Sequence, residues 1–280
     1  MGFYITKYSG EKELFDVKKF RRSLKRSGAT PRMISRIIRE IEKMPELRST
    51  HDIYEFALRE LHKESPSVAA RYNVKRALFE LGPSGFPFEQ FIAKIFEAQG
   101  YKVAVDQVIQ GSCVKHEIDV IAEKKSRHSM IECKFHNQQG IKADVKVALY
   151  VQARFEDIEA SATAGIKFNE AWVVTNTRFT EQAVEYALCT KLNLLGWSYP
   201  EKNNIEELID RYGLHPLTAL VSLNSHQKKE LMGQGIVLCR DLSKSPEALR
   251  KLGMTEHYIE YLMKEAEKVC SLQPSQNNEE

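Results

Sequence analysis

Apolar and polar positions alternate along "YKVAVDQVI", "EIDVIAE" and "HSMIECKF" (residues 101–109, 117–123 and 128–135), which predicts three strands. Just before them, "PFEQFIAKIFEAQG" (87–100) spaces Phe88, Phe91, Ile92, Ile95 and Phe96 along one helical face, with proline at its start and glycine at its end. A helical run from about 143 to 164 follows, then a buried strand "EAWVVTN" (170–176), a helix "TEQAVEYALCTKL" (180–192) and a short strand "NLLGW" (193–197). On the amino-terminal side, "FYITKY" and "KELFD" predict a strand pair about a turn at Ser9–Gly10, and amphipathic helical runs begin near Val17, Pro31 and Thr50. Beyond about Asn203 the strand signals stop. Short helices remain there, several ended by glycine, and the last residues have the polar composition of a disordered tail.

Two composition breaks divide the chain. "LGPSGFP" at 81–87 interrupts every regular period, and the strand signals end near residue 200. The expected organisation is a mostly helical domain over 1–83, an α/β domain with a mixed sheet flanked by helices over 84–200, a helical domain over 201–272 and a disordered tail over 273–280. With 280 residues, 42% apolar and 28% charged, the chain has the proportions of a soluble globular protein, and no apolar run is long enough to cross a bilayer. A cytoplasmic location is expected. Five cysteines, odd in number and widely spaced without a Cys-x-x-Cys pair, suggest reduced thiols in place of a disulfide framework or zinc site. The net charge of +3 is small, but "KKFRRSLKRSGATPRMISRIIR" concentrates positive charge in the amino-terminal domain.

Three charges interrupt the central strands. Glu132 and Lys134 project from the same side of one strand, and a hairpin through "EKKSRH" brings Asp119 beside Glu132. Two carboxylates at close range repel unless a cation or proton lies between them, and Mg²⁺ takes hard oxygen ligands of this kind. A nearby lysine can orient an attacking water. Asp119 followed by "ECK" resembles the Asp and Glu-x-Lys signature of the PD-(D/E)xK nuclease superfamily. The similarity runs from about Phe86 to Tyr199 and is greatest to the Mrr-like restriction endonuclease domains, which share the opening helix and the closing "VVTNTRFTEQAVEYA". It implies Asp119 and Glu132 as metal ligands and Lys134 as a catalytic residue. It also implies roles near the metal for Glu89, on the opening helix, and Gln152, on the helix after the lysine strand. The residues alone leave Glu89 as a first-turn carboxylate favoured by the helix dipole and Gln152 as a solvated helix residue. His116, His128 and His136 lack metal-ligand spacing and are expected in loops.

The amino-terminal stretch "ITKYSGEKELFDVKKFRRSL" resembles the start of an ATP-cone, the nucleotide-binding module of many ribonucleotide reductases and of their transcriptional repressor. Lys7, Gly10, Phe15, Asp16, Lys19 and Thr50 fall at matching positions, while Tyr8 and Ser9 depart from the family pattern. The resemblance implies that ATP or dATP binds residues 1–83 as a regulatory ligand. In "LMGQGIVLCRDL" and "LRKLGMT" the carboxy-terminal segment has the texture of helix-hairpin-helix modules, and a packing or dimerising role remains equally open. Together these readings predict an Mg²⁺-dependent DNA endonuclease that is regulated by an adenine nucleotide and acts as a homo-oligomer. The alternative is a nucleotide-sensing DNA-binding regulator whose nuclease-like domain does not cleave.

Overall fold

The computed structural model describes residues 3–7, 10–44, 49–161 and 165–271. Tyr8, Ser9 and the expected tail at 273–280 lie outside these. The chain folds as two compact units, one formed by Met1–Ala77 with His215–Glu280 and the other by Leu78–Leu214. The segments expected to stand as first and last domains therefore share a unit.

In that unit a short antiparallel hairpin, β1 (Tyr4–Thr6) and β2 (Lys12–Leu14), precedes helices α1 (Val17–Arg26), α2 (Pro31–Lys43), α3 (Thr50–Glu64) and α4 (Pro66–Phe79). Asp16, Thr30 and Ser49 cap the first three helices by accepting backbone amides of their first turns. The run from Thr50 divides at Ser65 because Pro66 has no amide to continue α3 and instead starts α4. Ile5 and Phe15 of the hairpin segment join Phe20, Leu24, Ile37, Ile41, Phe56 and Leu61 in one core. The carboxy-terminal part contributes α9 (Ser225–Gly233), α10 (Pro246–Lys251), α11 (Glu256–Cys270) and a 3-10 turn at Cys239–Lys244. Arg71 of α4 donates to the carbonyls of Val269 and Lys268 at the end of α11, and Thr218 Oγ1 donates to Ala77 O at 2.7 Å.

The second unit is a five-stranded mixed sheet in the order β3-β4-β5-β7-β9. Its members are β3 (Lys102–Gln110), β4 (Lys115–Lys124), β5 (Arg127–Lys134), β7 (Glu170–Thr175) and β9 (Asn193–Leu195). The first three run antiparallel, whereas β5, β7 and β9 are parallel and are linked through α6 (Val145–Glu159) and α7 (Glu181–Thr190). This is the α/β arrangement with a mixed sheet flanked by helices that the alternating pattern predicts. Helix α6 starts later than expected because Ala143 is drawn into a two-residue strand, β6 (Lys142–Ala143), which pairs with β8 (Arg178–Phe179); Asp144 then caps α6.

Helices cover both faces of the sheet. Val173 packs in a cluster with Val151 and Ile158 of α6 and Ala183 and Ala187 of α7. Its neighbour Trp172 points the other way, edge-on to Phe96 of α5 (Phe86–Ala98), with ring centroids 5.6 Å apart. Helix α5 opens at Gly85, whose φ of +83° suits glycine, and it buries Phe88, Phe91, Ile92 and Ile95 completely. A Cβ at Gly82 would lie 2.4 Å from the Phe135 ring, so the chain entering α5 passes against the end of β5 only because that position is glycine. After α7 and β9, α8 (Ile205–Tyr212) closes the unit.

Phe88 anchors α5 beside Phe135, at 5.5 Å between centroids, and is fully buried. Phe88→Ala is expected to cost about 3–5 kcal/mol, read as a lower urea midpoint with an unchanged m-value for the transition of this unit.

Candidate active site

The site forms where β4 and β5 part. Their ladder ends at Val120 opposite Ile131, and the next position on each strand is Asp119 and Glu132. Asp119 Oδ2 accepts the Cys133 amide at 2.7 Å, so a carboxylate takes the hydrogen bond that strand pairing would otherwise supply. On the other side of β4, Val105 pairs with Val120 and Gln107 with Ile118, while Asp106, the residue between, has a φ of +52°. Such a backbone is uncommon for a non-glycine residue, and here it interrupts the ladder opposite Asp119. Glu89 enters from α5 and Arg154 from α6.

Arg154 is 7% exposed and joins both strands of the site. Its guanidinium donates to Glu132 Oε2 and to the backbone carbonyl of Glu117, and it lies over the Tyr150 ring at 5.2 Å from the centroid. Glu117, Asp119, Glu132, Tyr150 and Arg154 line a cleft of about 300 Å³. One turn further along α6, Asp157 holds His116 at 2.7 Å and accepts the Cys113 amide at 2.8 Å. These bonds, that from His116 first, lower the Asp157 pKa to about 2.

The remaining carboxylates are poorly compensated. Burial, then the charge of Glu132, raises Asp119 to about 6 despite the Cys133 amide and Arg154. Burial, then Asp119, Asp106, Glu132 and Glu117, raises Glu89 to about 7. The Cys133 thiol is likewise pushed up, by burial and by Asp119, Glu89 and Glu132. Among the described residues, Asp119 Oδ1 and Glu132 Oε1 have no protein hydrogen bond. Two hard oxygen donors with excess negative charge around them fit a Mg²⁺ ion that keeps several of its waters. Among the described residues no three His, Cys, Asp or Glu side chains converge to enclose a metal unaided.

The structure thus brings Asp119, Glu132 and Glu89 together, and places Lys134 two residues beyond Glu132 at the exposed end of β5, without an ion pair among the described residues. Gln152 is elsewhere on α6. It donates to Glu156 Oε1 at 2.9 Å, and Arg154 is the side chain of that helix that reaches Glu132. His116 and His128 lie inside β4 and β5 and not in loops, because the hairpin is longer than its apolar core suggests; His136 lies two residues past the end of β5, outside any regular element. Arg154 and Asp106 were not anticipated. A mid-helix arginine looks like surface in a sequence, and an aspartate with positive φ leaves no glycine to mark the irregularity.

In the other unit, Lys7 is paired with Glu13 at 2.7 Å, Gly10 turns with a φ of +84°, and Lys19 is exposed without an ion pair among the described residues. Phe15 is buried between Phe3 and Phe20, and Asp16 accepts the Lys19 amide as the cap of α1. The Thr50 hydroxyl is buried with no hydrogen-bond partner among the described residues.

Comparison with known proteins accords with this geometry. A restriction endonuclease family model (the Mrr catalytic domain) matches residues 83–196, and an AF1548-like C-terminal model matches residues 215–270. An uncharacterised protein of Archaeoglobus fulgidus is 40% identical over 179 residues, 64% of this chain and 99% of its own length. The chain belongs to the AF1548-like family. The crystal structure of AF1548, a protein of unknown function, superposes with a TM-score of 0.56 at 38% identity, over 66% of this chain and 97% of that one. MspJI restriction endonuclease, solved in complex with a 27-mer oligonucleotide, gives a TM-score of 0.32 at 13% identity, over 46% of this chain and 29% of that one. In this AF1548-like chain, residues 83–196 form a restriction-endonuclease-like domain that contains every carboxylate of the cleft, which supports a nuclease.

Folded protein holds the Glu89 proton up to about pH 7, whereas its ordinary pKa is 4.5. The native state therefore binds more protons than the unfolded chain between these values, and stability falls as pH rises through that window. In chelator, Glu89→Gln should remove this loss. A gain on the order of 1 kcal/mol is expected at about pH 8, after allowance for solvent screening, and none at about pH 4, measured by urea denaturation at both.

Proposed function

We propose that this protein is a Mg²⁺-dependent endonuclease that hydrolyses phosphodiester bonds in DNA, with adenine nucleotide bound by the amino-terminal segment as its regulator. The observation that carries the first half is the convergence of Asp119, Glu132 and Glu89 at the parting of β4 and β5, inside a restriction-endonuclease-like domain.

In this reading Asp119 and Glu132 would hold the metal, through the carboxylate oxygens that have no hydrogen bond among the described residues. Mg²⁺ held there would supply Lewis-acid charge against a scissile phosphate. Lys134, exposed at the strand end, orients the attacking water and offsets charge that builds on the phosphate oxygens. Glu89, with its proton held near pH 7, accepts a proton from that water or returns one to the leaving oxygen. Arg154 keeps Glu132 and the Glu117 backbone in register, so the metal-side carboxylate does not swing freely. A purely DNA-binding role is disfavoured, since facing carboxylates would repel the phosphate backbone.

The regulatory half is supported by the hairpin turn at Gly10, which lets backbone approach a phosphate, by exposed Lys19, and by the Thr50 hydroxyl, which has no hydrogen-bond partner among the described residues. Lys7 would exchange Glu13 for a phosphate, while Phe15 and Asp16 shape the hairpin and the start of α1. Nucleotide can shift activity only through different affinities for two arrangements or assembly states of the chain, and a homo-oligomer provides such states.

Plasmid nicking is expected with Mg²⁺ and not in EDTA. Asp119→Ala, Glu132→Ala and Lys134→Ala should each lower the rate on the order of a hundredfold or more, with DNA affinity largely retained. Cleavage that persists in EDTA sinks the metal assignment, and DNA binding without any cleavage leaves the regulator reading.

ATP and dATP titrations should change either nicking rate or solution mass of the wild type. The Lys7→Ala, Lys19→Ala double variant is expected to need at least about tenfold more nucleotide for the same response, with its nucleotide-free nicking unchanged. A wild type whose rate and mass ignore both nucleotides overturns the regulatory half alone.

A further inference from the structure

The second chemistry-bearing cluster lies far along the chain from the carboxylates. Cys239, at the start of the 3-10 turn, is fully buried and fixed against the preceding segment: its amide donates to His215 O at 2.9 Å and its Sγ to Pro216 O at 3.2 Å. Cys270, the last residue of α11, is half-buried and lies within interaction range of Cys239 and of the buried His215. Both cysteines line a cavity of about 720 Å³, a volume typical of small-molecule sites. Arg240 and Lys264 bring positive charge to its wall, and Glu260 and Glu267 bring negative charge.

We propose that Cys239 and Cys270 form a thiol–disulfide exchange site for small disulfides of the cystine class, with Cys270 attacking and Cys239 resolving. A ligand that bears both carboxylate and ammonium groups meets both signs of charge on the wall. The roles follow from the surroundings. Polar interaction with the adjoining Cys239 first, then with His215 and Arg240, holds Cys270 below the ordinary thiol range, whereas burial keeps Cys239 protonated. Cys270 is also the thiol that the cavity exposes.

The steps balance. The Cys270 thiolate attacks one sulfur of the small disulfide, whose S–S bond breaks and leaves one half as a free thiolate. Cys239 passes its proton to that thiolate and attacks the Cys270 sulfur of the mixed disulfide, expelling the second half, which takes up a proton from water. The protein loses two electrons and gains an internal disulfide, and the small disulfide becomes two thiols. The new bond ties the 3-10 turn to the end of α11 that Arg71 already holds. Nothing in this proposal depends on the nuclease reading.

The test is to mix reduced full-length protein with cystine at about pH 6, quench with acid and map peptides by mass. In wild type the peptides of Cys239 and Cys270 should become joined, with a transient half-cystine on Cys270 beforehand. Cys239→Ser should keep that half-cystine on Cys270, acquired at least about tenfold faster than on the exposed Cys113 and Cys189. The wild-type time course carries the same test should the variant fail to fold. Labelling of Cys270 no faster than of Cys113 or Cys189, or a wild type that stops at the half-cystine adduct, overturns the proposal.

Discussion

Like charge held partly out of water is the constraint around which the second unit is arranged. Asp119, Glu132 and Glu89 approach one another from two strands and a helix, and burial makes the charges of Asp119 and Glu89 costlier to keep. The fold tolerates this because the Cys133 amide and the Arg154 guanidinium each take one carboxylate oxygen, and because the phenylalanines of α5 fix the backbone on which Glu89 stands. What is left over is negative potential without a full protein counter-charge. In a structural core that excess would be selected away; in a site that receives a cation it is the source of affinity.

The central part of this arrangement was legible in the sequence. Strand alternation puts Glu132 and Lys134 on one side, and the short "EKKSRH" turn fixes which residue of β4 faces Glu132, so two local rules sufficed. Arg154 was not legible because its partners are 22 and 37 positions away and belong to different strands. The interruption at Asp106 was hidden for another reason: nothing in "VAVDQVI" departs from a plain strand, and no glycine marks the positive φ. Helix starts with a capping residue or a proline could be read, yet the division at Ser65–Pro66 lay within a helical period strong enough to conceal it.

Chemistry is distributed unequally between the two units. The mixed sheet carries oxygen donors and, among the described residues, one buried guanidinium, whereas the helical unit carries two thiols on one cavity, a buried histidine and a basic hairpin region. Gly82, Asp157 and Phe88 show how the sheet unit is held: a missing side chain, a capped turn and an aromatic anchor. The helical unit depends more on reach along the chain, through Arg71, Asn73 and Thr218.

Because Met1–Ala77 and His215–Glu280 complete one unit around an intervening Leu78–Leu214, the order of synthesis and the order of assembly differ. A ribosome that has released residue 214 has already delivered every strand of the sheet. Helix α4 has by then been waiting for most of the translation time, with Arg71 still lacking the carbonyls of Val269 and Lys268 and Asn73 lacking that of Ala219. The inserted unit can finish first, and its host only after the last helix emerges. A nascent chain stalled near that boundary would display a complete sheet unit beside a half-built partner, which makes the helical unit the part most in need of protection while the protein is being made.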